Sequence, residues 1–476
     1  NLLFTPPPSS HQIAGQIFVF GDGDCGQLGL GEDVTEKLRP APLSVGSNKV
    51  VQVVCGGMHT LALTQEGDVF SWGVNDEGAL GRRTAGELWE KIAAKTAKDV
   101  AGDSYVPGKV AISSDSRIVQ LSAGDSHSTA LTAMGEVWAW GTFRDASGVY
   151  GFSPSTHIQA SPTLVHLPTR ARDQVVCVAS GADHVAALTR GGELLTWGTG
   201  QQGQLGRVGE RVTSRAAHGT LLRPHAVPIK ARAGVRMGGS AAEVVDLACG
   251  SWTTFAVLKG GQVFGWGLNN YGQLGLDKEQ AGGGACVFTP TAVKAFLAKD
   301  AAKSSATDAA KAAPGKAAAK SRAKDAAKDE AASSARAAAS APLALASGQH
   351  HTLVLASAER ALACGRPTYG RLGVEGADPG SDEGRPVPSA VEFSAEERLA
   401  GVAAGVAVSA AWTQGGDAWL WGFGTSNQLG KGDDDEDELL PKKLARTKAF
   451  GPNWNVLHLS LGGQHVAMLC RDKEAK

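Results

Sequence analysis

Short apolar runs that end on glycine recur along the chain, each followed by a few polar residues and a second glycine-bounded turn. Strand-length apolar runs separated by Gly and Pro are typical of short β-strands joined by tight turns. Six copies of this pattern lie at 17–29, 69–81, 194–206, 263–275, 361–373 and 418–430. A seventh copy, at 137–151, departs from the pattern after its first glycine. Repetition at this length predicts a repeat architecture.

Each repeat carries three further strand signals. In the first part of the chain one lies near Pro40, one is the apolar run 50–55 before a glycine, and one is the run 59–64. Seven units of four short strands predict an all-β fold, a seven-bladed β-propeller with four antiparallel strands in each blade. The last strands, within 456–470, lie opposite the first, 16–20, so we expect the termini to close the ring in a shared blade.

Domain boundaries follow from the same repeats. The propeller is predicted over 15–475. We expect 1–14 to be an N-terminal tail that lacks its beginning, because the chain opens on Asn1 without an initiator Met, and its first residues do not have the pattern of a signal peptide. The segment 297–341 interrupts one repeat with Ala, Lys, Ser and Asp, which predicts a low-complexity insert that acts as a solvated linker.

Composition narrows the classes of function. The 476 residues have a formal net charge of −1, which argues against binding nucleic acid through bulk charge and leaves that role to a local patch or tail. No apolar run reaches the roughly 18 residues of a membrane span, and no membrane partner is expected. The seven cysteines form no CxxC pair, which fits reduced thiols in the cytosol or nucleus. We expect a monomer.

One histidine recurs at the same position of five repeats. A metal site or a structural role are the two interpretations, and equivalent positions in different blades spread around a ring instead of converging. This distribution favours structural histidines that bond backbone groups where a loop enters a strand, and no metal site is predicted. The five are His59, His127, His184, His351 and His465.

The residues just before this histidine vary between repeats. Asp125, Asp183 and His350 occupy these places, at the same end of their blades, so they share one face of the disc. They either contact a partner that covers the central opening or are ordinary solvated loop residues. The chemistry alone leaves these two interpretations equal.

Two loops depart from the other repeats. The third repeat has FRDASGVYG at 143–151 in place of Gly-x-Leu-Gly, which is either a small hairpin projecting from the face or a tolerated insertion. The loop that follows Arg207 is long and basic, with Arg211 and Arg215, and is either a binding loop or a solvated one.

Motifs for bond chemistry do not occur. The sequence has no GxxxxGK[ST] phosphate loop, no GxSxG nucleophile elbow and no clustered metal motif. We therefore predict that the protein is not an enzyme in the bond-making sense and that it needs no cofactor.

The pairing of WGxNxxGQLG with VVxVxxGxxHTxAL resembles the regulator of chromosome condensation repeat, over 15–475 apart from the insert. Loop segments resemble the nuclear founding branch of that family more specifically, among them CGGMHTLAL at 55–63, NDEGALGR at 75–82 and SGQHHT at 347–352. The resemblance implies a seven-bladed propeller that exchanges guanine nucleotide on the nuclear small GTPase Ran. It also implies that the protein is nuclear and docked on the histones and DNA of the nucleosome.

The resemblance further implies roles for particular residues. The segment Phe143, Arg144, Asp145, Ala146, Ser147 and Gly148 looks like a wedge that acts against the phosphate-binding loop of the GTPase. The implied GTPase contacts are Asp24, Asp125, Asp183, Arg207, His350 and His465. The implied chromatin contacts are Arg211 and Arg215, because a planar guanidinium suits the carboxylates of an acidic histone patch.

Two other functions use the same fold. A non-catalytic propeller scaffold or adaptor would have no effect on GDP release from a GTPase. A UV-B photoreceptor would carry Gly-Trp-Arg-His-Thr motifs, and the nearest string here, GSWTT at 250–254, lacks the Arg. Most tryptophans instead precede a closing glycine, which predicts packing between blades: Trp72, Trp140, Trp197, Trp266 and Trp421.

Overall fold

The computed structural model describes residues 14–46, 49–85, 103–213, 218–229, 243–296, 342–393 and 397–474. Within these residues the chain forms seven four-stranded antiparallel sheets and one two-stranded hairpin. The sheets are the blades of a β-propeller, so the predicted fold class is confirmed. We number the blades by the order of their glycine-closed strands, and in each blade the strands run from the central channel outward.

The first blade joins the two ends of the chain. It contains β1 (Gln16–Asp22) and β2 (Glu36–Leu43) with the last two strands, β29 (Trp454–Leu461) and β30 (His465–Asp472). β1 pairs with β30 from Gln16 opposite Cys470 to Gly21 opposite His465. The prediction that the termini share a blade is therefore confirmed, and the pairing of β1 with β30 closes the ring.

Blades 2 to 4 follow in chain order. Blade 2 is β3 (Val50–Cys55), β4 (His59–Thr64), β5 (Val69–Gly73) and β6 (Gly108–Val110). Blade 3 is β7 (Ile118–Ala123), β8 (His127–Thr132), β9 (Val137–Gly141) and β12 (Gln159–His166), with the hairpin β10 (Phe143–Asp145) and β11 (Gly148–Gly151) between its last two strands. Blade 4 is β13 (Val175–Ser180), β14 (His184–Thr189), β15 (Leu194–Gly198) and β16 (His225–Ala226).

Blades 5 to 7 complete the ring. Blade 5 is β17 (Val244–Cys249), β18 (Thr253–Leu258), β19 (Val263–Leu268) and β20 (Cys286–Ala292). Blade 6 is β21 (Ala344–Ser347), β22 (His351–Ser357), β23 (Arg360–Gly365) and β24 (Arg385–Ala390). Blade 7 is β25 (Leu399–Ala404), β26 (Val408–Thr413), β27 (Ala418–Gly422) and β28 (Glu438–Lys443). The helical pieces are Ala171–Asp173, Glu210–Val212, His218–Leu221, Lys294–Phe296 and Thr368–Gly370.

Buried tryptophans join neighbouring blades, as the sequence predicts. The indole Nε1 of Trp72 donates to the carbonyl of Gln27, in the Gly-Gln-Leu-Gly turn of the preceding blade, at 3.0 Å. The matching bonds run from Trp140 to Ala79 at 2.7 Å, from Trp266 to Gln204 at 2.9 Å and from Trp421 to Arg371 at 3.1 Å. The repeated turn therefore accepts a hydrogen bond from the tryptophan of the next blade, and we call such side-chain bonds between blades a latch. This role explains why the sequence of the turn recurs.

The closing glycines are required by their backbone. Gly141 has φ +94°, and a Cβ placed there would collide with the carbonyl of Ser126. Only glycine adopts this conformation without strain at a close approach of two chains. The repeat is consequently visible in the sequence at each glycine of this kind.

Two predicted segments lie largely outside the described residues. These are the insert 297–341 and the N-terminal tail, of which only Ala14 is described. All seven cysteines fall within the described residues, and none of them forms a disulfide bond.

Candidate functional site

The first turn of every blade surrounds one end of the central channel, and we call this end the channel face. The channel at this end encloses a cavity of about 180 Å³, and Asp125 is the one charged residue in its lining. Backbone bonds between blades tie the turns into a ring, for example Asp125 N to Ala182 O at 2.9 Å and Ala182 N to Ser251 O at 3.0 Å. This rigid collar fixes the positions of the side chains that surround it.

The irregular segment of blade 3 forms a hairpin. Arg144 pairs with Val149 and Asp145 with Gly148, which leaves Ala146 and Ser147 as an exposed tip. The carboxylate of Asp145 accepts the backbone N–H of Ser147 at 2.8 Å, which closes the turn. The prediction of a small hairpin at this place is confirmed, and its action as a wedge stays a prediction.

Arg144 ties the hairpin to the channel face. Its backbone N–H donates to Oδ1 of Asp183 at 2.5 Å, and its guanidinium forms an ion pair with Glu77 of blade 2. The hairpin therefore lies on the same face as Asp125 and Asp183. Sequence reasoning missed Glu77, although the loop NDEGALG that contains it was noted for its resemblance.

Three carboxylates surround this one arginine. The pKa of Asp183 is raised to about 8, by burial first and then by the charges of Asp125 and Glu77, while the Arg144 N–H and guanidinium act in the opposite direction. Burial also raises the pKa of Asp125, because protein surrounds this side chain on most sides even though it reaches solvent in the channel mouth. Glu77 and Asp125 outnumber Arg144 even while Asp183 holds its proton, so this part of the face holds more acid than base and favours a cationic partner. We call these four residues the acidic cluster.

His350 belongs to a second cluster, on blades 5 and 6. Its ring lies between those of Trp252, with centroids 5.4 Å apart, and Tyr271, at 5.1 Å. The guanidinium of Arg366 stacks over Tyr271 at 4.9 Å. The pKa of His350 is lowered to about 4, by burial first and then by the charges of Arg371 and Arg366, so this imidazole is neutral at physiological pH.

An exposed tyrosine continues this aromatic side toward blade 7. Tyr369 is 41% exposed, and its ring lies 4.9 Å from that of Phe423. Tyr369 has φ +64°, a strained conformation for a residue with a side chain, and strain of this kind is common at binding sites. The channel face thus carries an acidic cluster on blades 2 to 4 and an aromatic side on blades 5 to 7.

The structure corrects the role expected for His465. Its side chain is fully buried, and its Nε2 lies 2.8 Å from Oγ1 of Thr60 in the neighbouring blade. A buried ring in the wall between blades cannot touch a partner, because the collar covers it. The exposed residue at this place is Gln464.

Arg207 is half-buried and bonds within the protein. It donates from Nε to the Thr196 carbonyl at 3.2 Å and from its terminal nitrogen to the Thr220 carbonyl at 3.0 Å, and burial lowers its pKa to about 10. Arg82 makes the matching bonds in blade 2, to the carbonyls of Ser71 and Asp103. These contacts indicate a cross-link within the blade, so a role of Arg207 in binding stays a prediction.

The other predicted contacts lie on the surface or beyond the described residues. Asp24 is exposed in a blade 1 turn on the channel face, and its charge raises the pKa of Asp22, after the larger effect of burial. Arg211 is exposed in the short helix Glu210–Val212. Arg215 lies outside the described residues.

The histidines are structural, as predicted, but their partners differ from the expected backbone groups. Four of the five place Nε2 at 2.8–2.9 Å from a hydroxyl of the next blade. In the described ranges no three His, Cys, Asp or Glu side chains lie close enough together to bind a metal ion. No helix in these ranges is sufficiently long and apolar to span a membrane.

Comparison with known proteins places the chain in a family. The RCC1-like domain model matches residues 16–468. The human regulator of chromosome condensation is 38% identical over 97% of this chain and 91% of its own length, and the guanine nucleotide exchange factor SRM1 of Saccharomyces cerevisiae is 31% identical over 94% and 86%. The crystal structure of Prp20p from Saccharomyces cerevisiae, described with its binding properties to Gsp1p and histones, superposes with a TM-score of 0.73 at 28% identity, covering 99% of this chain and 96% of Prp20p. The chain therefore belongs to the RCC1-like family of β-propellers.

Proposed function

We propose that this protein is a guanine-nucleotide exchange factor for a Ran-type nuclear GTPase and that it works while docked on chromatin. Support comes from the exchange-factor relative and from Prp20p, which was described with its binding to Gsp1p and histones. The observation that carries the proposal is the hairpin of blade 3, which Arg144 joins to Asp183 and Glu77 on the channel face. Such a factor makes and breaks no covalent bond, so no cofactor is required.

Exchange requires a broad and rigid surface. A GTPase that holds its nucleotide with picomolar affinity gains about 16 kcal/mol from that contact. The factor must bind the empty GTPase with comparable strength. By reciprocity, the nucleotide weakens the binding of the factor to the GTPase by the same coupling free energy by which the factor weakens the binding of the nucleotide. The collar of backbone bonds between blades supplies the rigidity, and the seven first turns supply the area.

The hairpin supplies the element that disturbs the phosphate site. Its tip, Ala146 and Ser147, is exposed, while its base is buried at Phe143 and Tyr150, each 1% exposed. The acidic cluster lies directly beside it. Carboxylates next to a phosphate-binding loop compete with phosphate for the cationic groups of that loop, so they favour loss of nucleotide.

Chromatin docking is the second part of the proposal. Arg211 is exposed and Arg215 follows it in the basic loop after blade 4's third strand. A guanidinium fork matches the paired oxygens of carboxylates, so this loop suits an acidic histone surface. A protein that exchanges nucleotide while bound to the nucleosome acts in the nucleus, so we propose a nuclear location.

The proposal is tested by stopped-flow release of mant-GDP from purified Ran. Wild type is expected to accelerate release strongly. A variant that lacks Ala146 and Ser147 but keeps Phe143 and Tyr150 should slow the catalysed rate at least about 100-fold, since a loss of about 2.7 kcal/mol in transition-state stabilisation gives this factor. Its melting temperature should match that of wild type, because the buried base of the hairpin is retained.

Deletion of Gly282 and Gly283, which are exposed in a turn of blade 5, provides the control, and it should leave release unchanged. A wild-type protein without effect on GDP release would overturn the proposal and favour the scaffold or adaptor. Normal GDP release with the shortened-hairpin variant would mean that the protein exchanges nucleotide through another element than the hairpin.

A further inference from the structure

The recurring histidine of blade 3 is an exception. Elsewhere the Nε2 atom meets a hydroxyl of the next blade, as in His59 with Ser128 at 2.9 Å and His184 with Thr254 at 2.8 Å. The position that would serve His127 is Val185, and neither ring nitrogen of His127 has a hydrogen-bond partner among the described residues. A fully buried imidazole with both nitrogens unsatisfied is unusual, because buried polar groups are normally bonded.

A second exception coincides with the first. The hydroxyls that meet the histidines also donate to the carbonyl of a Gly-x-Leu-Gly turn, for example Ser128 to Ala79 at 2.8 Å and Thr254 to Gln204 at 2.8 Å. Blade 3 has the hairpin in place of this turn, so a hydroxyl at position 185 would lack its usual acceptor. The hairpin and Val185 therefore belong to one local change at the junction of blades 3 and 4.

Aromatic packing replaces the lost bonds. The ring of Phe143, at the base of the hairpin, lies 4.7 Å from that of His127, and Phe152 stacks on Phe143 at 6.4 Å with an interplanar angle of 3°. Tyr150, Val185 and Trp197 lie in the same buried cluster as Phe143. The base of the hairpin thus packs into an apolar cluster at the place where other junctions have a hydrogen bond between a histidine and a hydroxyl.

We infer that this apolar cluster is a seat that fixes the orientation of the hairpin, with His127 and Val185 as positioning residues for nucleotide exchange. The inference rests on the proposed function. A hairpin acting on a phosphate site must resist being bent back, and close packing around Phe143 resists bending because a dense interior has no room for alternative placements. The pKa of His127 is lowered to about 3, by burial first and then by His184 and His59, so the ring remains neutral at any working pH.

A pair of matched variants separates a seat from an ordinary structural role. His127→Ala removes a ring that makes no hydrogen bond, and His59→Ala removes the same ring together with its contact to Ser128. The seat predicts that His59→Ala lowers the melting temperature more. It also predicts that His127→Ala lowers kcat for GDP release about 10-fold at unchanged KM, while His59→Ala changes kcat less than about two-fold.

Two further measurements make the test independent of folding and of the GTPase. Hydrogen exchange should speed up at the amides of Arg144 to Tyr150 in His127→Ala but not in His59→Ala. The apolar substitution His127→Leu fills the same space, so it should restore both kcat and hairpin protection.

The outcomes distinguish the two hypotheses. If wild type does not accelerate GDP release, the proposed function fails, and hairpin protection still decides whether the seat exists. If wild type is active, but both histidine variants lose kcat in proportion to their stability and leave hairpin protection equal, the seat is refuted. Proportional losses would show that His127 is a structural residue like the other four.

Discussion

Asp183→Asn is the substitution for which the structure predicts opposite effects on stability and activity. The asparagine keeps an oxygen that accepts the backbone N–H of Arg144, so the anchor of the hairpin is retained. Its amide is neutral, so it does not meet the repulsion from the charge of Asp125 that raises the pKa of Asp183 in the wild type. Above about pH 8 the substitution therefore removes one buried negative charge and leaves the local geometry in place.

The magnitude follows from the pKa of Asp183. It rises from 3.8 to about 8 on folding, so between these values the folded protein holds a proton that the unfolded chain has released. Stability consequently falls as pH rises through this window, and the whole cost is present above about pH 8. The full shift corresponds to an upper bound of about 6 kcal/mol, at 1.36 kcal/mol per unit. Because the side chain partly reaches solvent, we expect about 1–2 kcal/mol.

The assay is thermal unfolding of both proteins from pH 5 to pH 9. Asp183→Asn should melt higher than wild type by about 1–3 °C at pH 9, and the difference should shrink toward pH 5. At pH 9, where Asp183 is ionised in the wild type, the same variant should release mant-GDP from Ran at least about 10-fold more slowly, because the negative charge beside the hairpin is gone. A difference in melting temperature that does not change with pH would refute the argument. So would a variant that is less stable at pH 9.

Two further predictions concern the rest of the channel face. Tyr369→Ala should raise KM for the GTPase about 10-fold at unchanged kcat, since an exposed aromatic anchor contributes about 1–2 kcal/mol of binding; an unchanged KM would remove the aromatic side from the interface. Arg82→Ala and Arg207→Ala should each lower the stability by about 1–3 kcal/mol in denaturant unfolding, because each leaves backbone carbonyls unbonded. Exchange per folded molecule should stay normal in Arg82→Ala. A rise in KM confined to Arg207→Ala would support the predicted contact of Arg207 with the GTPase, and an equal KM in both variants would contradict it.

The fold was predictable because its geometry imposes residues that are visible in the sequence. Gly141 is one example, since its positive φ and the adjacent Ser126 carbonyl admit only glycine. Trp140 is another, since the latch to Ala79 needs an indole at one place in the repeat. Requirements of this kind recur in every blade, so the count of blades and the closure of the ring followed from the pattern.

The site was less predictable because its contacts join residues that are distant in the chain. Glu77 of blade 2 forms an ion pair with Arg144 of blade 3, and no local sequence pattern marks such a pair. His465 was misplaced for a related reason, since its partner Thr60 lies at the other end of the sequence. A signal for these histidines was nevertheless present, because Ser or Thr follows three of them and valine follows His184 and His465. The preceding blade has Val408 in place of a histidine opposite Val466, so Val185 is the valine that leaves a histidine without its hydroxyl.

Val185 also explains how one junction could change without loss of the ring. The side-chain latch is absent between blades 3 and 4, yet the backbone bond from Asp125 N to Ala182 O remains there at 2.9 Å, and the strand pairing of blade 1 keeps the ring closed. Neighbouring junctions, such as that of Trp140 with Ala79, retain their latches. The junction of blades 7 and 1 also differs, with Phe20 in place of the tryptophan and Val408 in place of the histidine, and these two residues pack in one apolar cluster. A ring closed by backbone bonds and strand pairing therefore tolerates junctions without the side-chain latch. That tolerance allows a hairpin in place of a turn in blade 3, with Phe143 packed where the latch would have been.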